Sequence, residues 1–247
     1  MAKSSGAGEQ AINNIAKAGI ETALDRADSL EVDLHSNPLD LMQGEIESVS
    51  VKGEGLVMKK ELRADKLRIE TNNIAINSIK AAMGNIELNK PTDARMLVVL
   101  KEDDLQNAFN CEYVKDKLQN LKIDLDGEQV TAKIEQINFL LPDTGKVKLE
   151  ANVHLIEPDK NEKISFTAVP EINNEGNCIS LKSVEYLQDT KYNADVAEAI
   201  ISSAEEILDL RNFELDKMSL RVRKLDVNLG KLTIEADAEI TEFPSAS

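Results

Sequence analysis

The chain has 247 residues, enough for one large β-rich domain or two small ones. Its formal charge is −16, with 45 acidic against 29 basic residues, which argues against nucleic acid as a partner and against non-specific adhesion to an anionic membrane. With no Trp, three Tyr and five Phe, the chain is also poorly suited to stacking sugars or bases on aromatic rings, and its apolar content is aliphatic.

The N-terminal region predicts a helix, because residues 9–28 carry apolar residues at helical spacing. The apolar stripe is narrow, its residues are small, and its charges nearly balance. Loose packing on the rest of the protein is the simpler interpretation. Docking to a membrane or a protein partner is the alternative, although membrane-surface helices usually carry more basic and bulkier apolar residues.

Short alternating segments follow this helix and predict strands. The first spans residues 30–35, and Asn37-Pro38 ends it. Two more fit Glu45–Lys52 and Leu56–Ile69, with Gly53-Glu-Gly55 between them as a tight turn or bulge.

Two helices are predicted farther along the chain. Met96–Leu100 is apolar on both faces, so this strand is expected to be covered on both sides. A helix follows over Glu102–Leu118, continuous or restarted, with acidic residues in its first turn. The second spans Ala194–Leu210, with Asn193 as its N-cap and an apolar arc wide enough to require sheet around much of its circumference.

Four segments share a broken alternation, apolar-x-apolar-x-x-apolar-x-apolar. The central step of three turns the apolar side chains to the other face unless one residue stays unpaired, as in a β-bulge, which bends and twists a strand. We interpret these segments as curved strands of a sheet that wraps something, and ordinary strands of a flat sandwich are the alternative. The segments are Leu62–Ile69, Val130–Leu141, Ile179–Tyr186 and Met218–Leu229.

The chain also contains an imperfect internal repeat. Leu118–Asp124 reappears as Leu210–Asp216, and Gly145–Ala151 reappears as Gly230–Ala236. Each copy of the repeat follows a helical segment, and in each copy the broken alternation lies between the two repeated segments. Residues 30–243 contain no linker-like segment, so we expect one domain.

The sequence offers little for catalysis. His35 and His154 are its only histidines, and both lie on the polar face of alternating strands. No Ser or Cys nucleophile stands in a motif, no His or Cys spacing supports a metal site, and Asp124–Glu128 fits a hairpin turn better than a calcium loop. Cys111 and Cys178 are too few for a disulfide framework, so we expect reduced thiols. We predict no enzyme, no cofactor and no metal.

Two basic clusters stand out against the acidic background. Lys59, Lys60 and Arg63 form part of the first, and Arg221 and Arg223 form part of the second. The simplest explanation is that these basic residues lie on solvated strand faces and balance nearby acidic residues. A phosphate site is the alternative, because Arg binds phosphate bidentately.

Several segments carry a family resemblance: Gly53-Glu-Gly-Leu-Val-Met58, Met83-Gly-Asn-Ile-Glu-Leu-Asn-Lys-Pro91, Val99-Leu-Lys-Glu-Asp-Asp-Leu-Gln-Asn-Ala-Phe109, Leu208-Asp-Leu-Arg-Asn-Phe-Glu-Leu215 and Met218-Ser-Leu-Arg-Val222. Over roughly residues 40–243 the chain resembles the LmeA family of bacterial phospholipid-binding proteins, formerly a domain of unknown function. The resemblance implies a long antiparallel sheet curled around a helix, similar to tubular lipid-binding folds, and an interior that accepts acyl chains. It brings no catalytic residues.

The predicted fold is therefore α+β, a long, strongly curved antiparallel sheet wrapped around one or two helices, with an N-terminal helix. We place a helical extension at residues 1–29, a single curved-sheet lipid-binding domain at 30–243 and a tail at 244–247. No apolar run is long enough to span a membrane, and the N-terminus lacks a signal peptide's apolar core. The expected location is cytoplasmic, with peripheral contact at a membrane surface as a further option.

The leading functional hypothesis is a non-enzymatic protein that binds phospholipid or another acyl lipid, with a role in lipid transport or envelope homeostasis. The residues expected to line the acyl groove are Val196, Ile200, Ala204 and Ile207 on the helix and Leu149, Val153, Ile234 and Ala238 on the sheet. The headgroup candidates are Lys59, Lys60, Arg63, Arg221 and Arg223. The alternative is a structural or assembly module with a packed core that binds a protein partner.

Overall fold

The structure, a computed structural model, describes residues 6–22, 24–58, 62–84, 86–118, 120–125, 127–157, 159–187, 193–207, 209 and 218–242. The helices in this part of the chain are α1 (Ala7–Thr22), α2 (Pro38–Gln43), α3 (Ser78–Ala82), α4 (Glu102–Asn110), α5 (Glu112–Lys117) and α6 (Asn193–Ile207). The strands are β1 (Leu24–Arg26), β2 (Ser29–His35), β3 (Glu45–Met58), β4 (Leu62–Ala75), β5 (Thr92–Lys101), β6 (Leu121–Leu125), β7 (Glu128–Asp143), β8 (Lys146–Leu155), β9 (Lys160–Ile172), β10 (Ile179–Tyr186), β11 (Met218–Asn228) and β12 (Lys231–Ile240).

The strands form two antiparallel sheets. The seven-stranded sheet has the order β1–β3–β4–β5–β12–β11, and β2 also pairs with β3. The five-stranded sheet is a meander in which β6 to β10 lie side by side in chain order. Because β5 pairs with β12, placing Ala94 opposite Ala238, the two ends of the chain complete one sheet. The meander is inserted between them.

The five-stranded sheet curls around α6. This helix contacts β9 and also β6 and β10, the two opposite edges of the sheet, so the sheet bends into a half-barrel with α6 inside it. Val196, Ala197 and Ile200 of α6 are buried in the resulting core. The prediction of an α+β fold with a strongly curved sheet around a helix is confirmed.

Three of the four broken alternations contain β-bulges, as predicted. Register shifts occur between Ile134 and Gln136 in β7, at the position following Lys182 in β10, and at the position following Val222 in β11. In β7 the extra residue keeps the apolar side chains on the buried face along the whole segment. The fourth segment, in β4, instead keeps a continuous register with β3.

The predicted division of strands at Gly53–Gly55 is wrong. β3 runs unbroken from Glu45 to Met58, and β4 begins at Leu62. Gly55 has φ +58°, and a Cβ there would lie 1.9 Å from the Asp28 Oδ2 atom. The chain entering β2 crosses closely over β3 here, since the Asp28 N–H donates to the Glu54 carbonyl at 3.0 Å. The positive φ and the close packing of the Asp28 side chain, and not a turn between two strands, account for this glycine.

The N-terminal helix packs on the seven-stranded sheet. α1 contacts β1 and β2, and Ile12 and Ile20 pack against the apolar cluster between β2, β3 and β4. β1 lies within the extension predicted over residues 1–29 and pairs with the end of β3. The domain boundaries themselves stay a prediction.

Helix α4 joins the two sheets. It packs against β7 of the five-stranded sheet and against β4 and β5 of the seven-stranded sheet. Its polar side chains bond the backbone of β7: the Gln106 Oε1 accepts from the Phe139 N–H at 2.6 Å, and the Asn110 Nδ2 donates to the Ile137 carbonyl at 2.7 Å. The predicted helix over Glu102–Leu118 is divided at Cys111, whose ψ of 157° is extended.

Candidate functional site

A large cleft opens at one end of the seven-stranded sheet, where β2 ends, β3 begins and β4 ends. Its volume is about 1580 Å³, and one face each of α1, α2 and α3 forms its walls. Small-molecule pockets usually have roughly 300–1000 Å³, so this space admits a longer ligand. The apolar part of the lining consists mainly of Ile12, Ile15, Leu41, Met42, Ile76 and Ala81.

Local capping interactions fix the two short helices of the cleft. The Asn37 Oδ1 accepts from the N–H groups of the second and third residues after it at 3.0 Å, and the Asn77 Oδ1 does the same at 3.1 Å. Each cap satisfies backbone donors that the first turn of a helix leaves without partners. Gly44, with φ +82°, ends α2 beside the Ile76 carbonyl, where a Cβ would lie at 2.2 Å. The helices therefore have defined positions at the mouth of the cleft.

The N-terminus of α1 is tied to the opposite wall. The Glu9 carboxylate accepts from the Ser36 N–H at 3.0 Å and from the Gly6 N–H at 2.7 Å. At Gly8 the helix approaches α2 so closely that a Cβ would lie 3.1 Å from the Leu41 Cδ2 atom. α1 thus closes one side of the cleft through both polar and apolar contacts.

The charges inside the cleft are acidic. Among its described lining residues the ionisable side chains are Glu9, His35 and Glu47, and none is Lys or Arg. The His35 Nε2 lies 3.4 Å from the Asp33 Oδ2, which offsets any positive charge on this ring. The described lining therefore suits alkyl chains and offers no guanidinium or ammonium group to an anionic headgroup.

The residues predicted to line an acyl groove lie in two places. Five of them, each between 0 and 5% exposed, are buried on α6 and on β8: Val196, Ile200, Ala204, Leu149 and Val153. The β12 residues lie in the other sheet, where Ala238 packs with Ala94 and Ile240, and Ile234 is partly buried. The side chain of Ile207 is outside the described residues. Contact of these residues with acyl chains stays a prediction.

The headgroup candidates that the structure describes interact with other residues of this chain. Arg63 Nη1 lies 2.8 Å from the Asp104 carboxylate, and this hydrogen bond raises the pKa of the Arg63 guanidinium above its usual range. Arg221 donates to the Asn174 carbonyl at 3.4 Å, and Arg223 lies 3.3 Å from the Asp237 carboxylate.

None of these three arginines lines the α1–α2–α3 cleft. Arg63 is at the start of β4, roughly 40 Å along a strand of 14 residues from the cleft at its other end. Lys59 and Lys60 lie outside the described residues. Headgroup binding by these five residues stays a prediction.

The sequence interpretation did not identify the cleft. It treated the α1 stripe as a packing surface and Asn37-Pro38 as the end of a strand. A usable signal was present, because Asn37 and Asn77 each begin a short segment that contains large apolar residues in otherwise polar surroundings. Such segments fit short capped helices that expose part of their apolar side chains.

The profile of the LmeA-like phospholipid-binding family matches residues 4–237. The matched region includes α1 and all three walls of the cleft, and it extends farther toward the N-terminus than the resemblance seen in the sequence. No curated protein and no solved structure matches the chain. The helices in the described part of the chain are each too short or too polar to cross a bilayer.

Proposed function

Because the chain belongs to the LmeA-like phospholipid-binding family, we propose that it is a non-enzymatic lipid-binding protein that holds an acyl chain in the α1–α2–α3 cleft. The observation that carries this proposal is a cleft of about 1580 Å³ that opens to the surface and whose lining is more apolar than polar. The family match includes every element that forms it.

The chemistry of the cleft agrees with partial burial of a hydrocarbon chain. Each methylene removed from water contributes about 0.8 kcal/mol, so enclosing even part of a chain supplies useful affinity. The absence of Lys and Arg from the described lining favours lipids whose headgroup is zwitterionic or lies outside the cleft. The lipid would thus be held by its chain, with the headgroup near the polar lining residues Ser36 and Ser48.

A pair of tryptophan substitutions on one helix tests the cleft. Ala11 lines the cleft, whereas Ala18 is exposed on α1 and does not line it. We expect Ala11→Trp to lower uptake of a fluorescent phospholipid at least about tenfold, the loss produced by displacing two buried methylenes. Ala18→Trp should take up lipid like the unaltered protein.

A third variant separates the two places where a chain could lie. Ile200→Trp places a larger side chain between α6 and the curled sheet, where Ile200 is 1% exposed. If Ile200→Trp keeps the thermal midpoint of the unaltered protein and abolishes uptake while Ala11→Trp does not, the lipid lies at α6 and the cleft proposal is wrong. If native mass spectrometry finds no co-purifying lipid and the unaltered protein takes up none, lipid binding itself is wrong, and the packed module that binds a protein partner is favoured.

A further inference from the structure

The helices at the mouth of the cleft expose an unusual amount of apolar surface. Leu39 and Met42 on α2, and Ile79 on α3 with Met83 just after it, are each 70–80% exposed. α2 and α3 contact each other, and Met42 and Met83 line the same cleft, so the four side chains form one surface. We call these four residues the apolar rim. Large apolar side chains gathered at one place on a surface usually mark an interaction site.

The exposure of the rim is built into the local structure. Leu39 and Ile79 are both the second residue after a capping Asn, whose side chain accepts their backbone N–H groups at 3.0 and 3.1 Å. Because these backbone groups already have partners, the first turn of each helix has a fixed conformation and its apolar side chain points away from the protein. The rim is therefore a preformed surface.

The charges on the rim exclude attraction to an anionic surface. The charged side chains of α2 and α3 are Asp40 and Lys80, and Lys80 forms an ion pair with Glu87. Glu9 and Glu47 lie in the adjoining cleft, and the whole chain carries −16. Anionic lipid recruits proteins through clusters of Lys and Arg, which the described part of this surface lacks.

We propose that the apolar rim docks into the surface of a zwitterionic bilayer and sets the mouth of the cleft against the lipids. This inference rests on the proposed function, because the argument for a bilayer is the continuity of the rim with a cleft for acyl chains. Met42 and Met83 belong to both surfaces, so a lipid passing between bilayer and cleft would stay in apolar surroundings. A protein partner seated on the rim would instead cover the mouth.

The test uses rim residues that do not line the cleft. In the full chain, Leu39→Ser combined with Ile79→Ser removes two exposed apolar side chains and leaves the capping Asn residues in place. We expect this double variant to bind phosphatidylcholine vesicles at least about tenfold more weakly than the unaltered protein in flotation assays. It should still bind monomeric short-chain phosphatidylcholine and should keep its thermal midpoint.

Leu229→Ser is the matched control, since Leu229 is 77% exposed in the β11–β12 turn, away from the cleft. Its vesicle binding should equal that of the unaltered protein. Adding phosphatidylglycerol to the vesicles should weaken binding, and raising the salt concentration should not release the protein. Tighter binding to phosphatidylglycerol vesicles would overturn the charge argument and with it the proposal.

The remaining outcomes separate this proposal from the proposed function. Binding of monomeric lipid without binding of vesicles overturns docking and leaves the lipid cleft intact. Vesicle binding that depends on the rim, without uptake of any lipid, supports docking and overturns the cleft. Equal vesicle binding by the double variant and the unaltered protein overturns docking, as does a dimer of the unaltered protein that the double variant converts to monomer.

Discussion

The five-stranded sheet and the seven-stranded sheet use similar aliphatic residues and bury them in different ways. Around α6 the sheet reaches both sides of the helix, and Phe109 stacks on Phe139 at 4.7 Å where α4 covers β7. At the other end of the molecule α1 covers the seven-stranded sheet near β1 and β2, and the cleft stays open between α1 and the two short helices.

Strand curvature explains this difference. β7 and β10 each contain a bulge, and a bulged strand bends and twists more strongly. In the seven-stranded sheet β11 also contains a bulge, but β3 and β4, which border the cleft, keep one continuous register with each other. Where a sheet wraps its helix, its apolar surface is used for folding. Where it does not, part of that surface remains available to a ligand.

The largest effect is expected from truncating one isoleucine on the helix that packs against each sheet. Ile200, 1% exposed, is on α6, whereas Ile12 is partly buried and lines the cleft. Ile200→Ala should lower the free energy of unfolding by about 2–5 kcal/mol, because it removes buried methylenes and leaves a cavity. Ile12→Ala should cost about 1 kcal/mol, because less of its side chain is buried. Urea unfolding measures both values, and equal losses would mean that the two halves are packed alike.

The second largest effect concerns α4, the helix that joins the two sheets. Arg63 holds α4 to β4 through Asp104, whose side chain is 4% exposed and also accepts from the Lys101 N–H at 3.2 Å. Arg63→Met leaves this carboxylate without its cation, which should cost about 1–3 kcal/mol.

Arg68→Met on the same strand is the matched control for the joint. Arg68 pairs with Glu70 at the surface, where both side chains are about half exposed, so its loss should cost less than about 0.5 kcal/mol. Urea unfolding again gives both values. A loss at Arg63 no larger than that at Arg68 would show that the buried carboxylate does not depend on its guanidinium partner.

The difference between the curled sheet and the open cleft also explains which parts of the structure the sequence predicts. Curvature leaves a local trace, since a step of three within an alternating strand requires an unpaired residue, and three of the bulges were found in this way. The sheet curled around a helix followed from them and from the wide apolar arc of α6. The sequence predicts a tight turn or bulge at Gly53–Gly55, because a glycine that packs closely against Asp28 cannot be distinguished from a turn glycine in a sequence.

The capped helices α2 and α3 left a local trace in the sequence, but the cleft between them and α1 did not, because it depends on distant contacts. Its walls are brought together by the α1–β2 packing and by the Glu9–Ser36 hydrogen bond, which spans 27 residues of sequence. The joint at α4 was missed for a similar reason. Gln106 and Asn110 look like ordinary surface residues of a helix, and only the structure shows them bonded to the backbone of β7.

The smallest effect is a difference in acid sensitivity between the two halves. Three carboxyl groups with a lowered pKa belong to the five-stranded sheet or its turns. They are Glu150, which bonds to Lys148, Glu157, which accepts from the Thr131 backbone, and Glu185, which bonds to Lys146. Each bond stabilises the ionised form in the folded protein.

A lowered pKa in the folded state adds stability above the pKa of the unfolded chain, about 4.3 for glutamate, and this stability is lost as the pH falls through the folded value. Acidification below about pH 4.3 should therefore weaken the five-stranded sheet more than the seven-stranded sheet. Hydrogen exchange of backbone amides, followed by NMR between neutral and acidic pH, measures the two sheets separately. Glu157→Gln should remove part of the difference, because the side chain that links the β8–β9 turn to Thr131 no longer titrates. Equal loss of protection in both sheets would show that these carboxylates do not distinguish the halves.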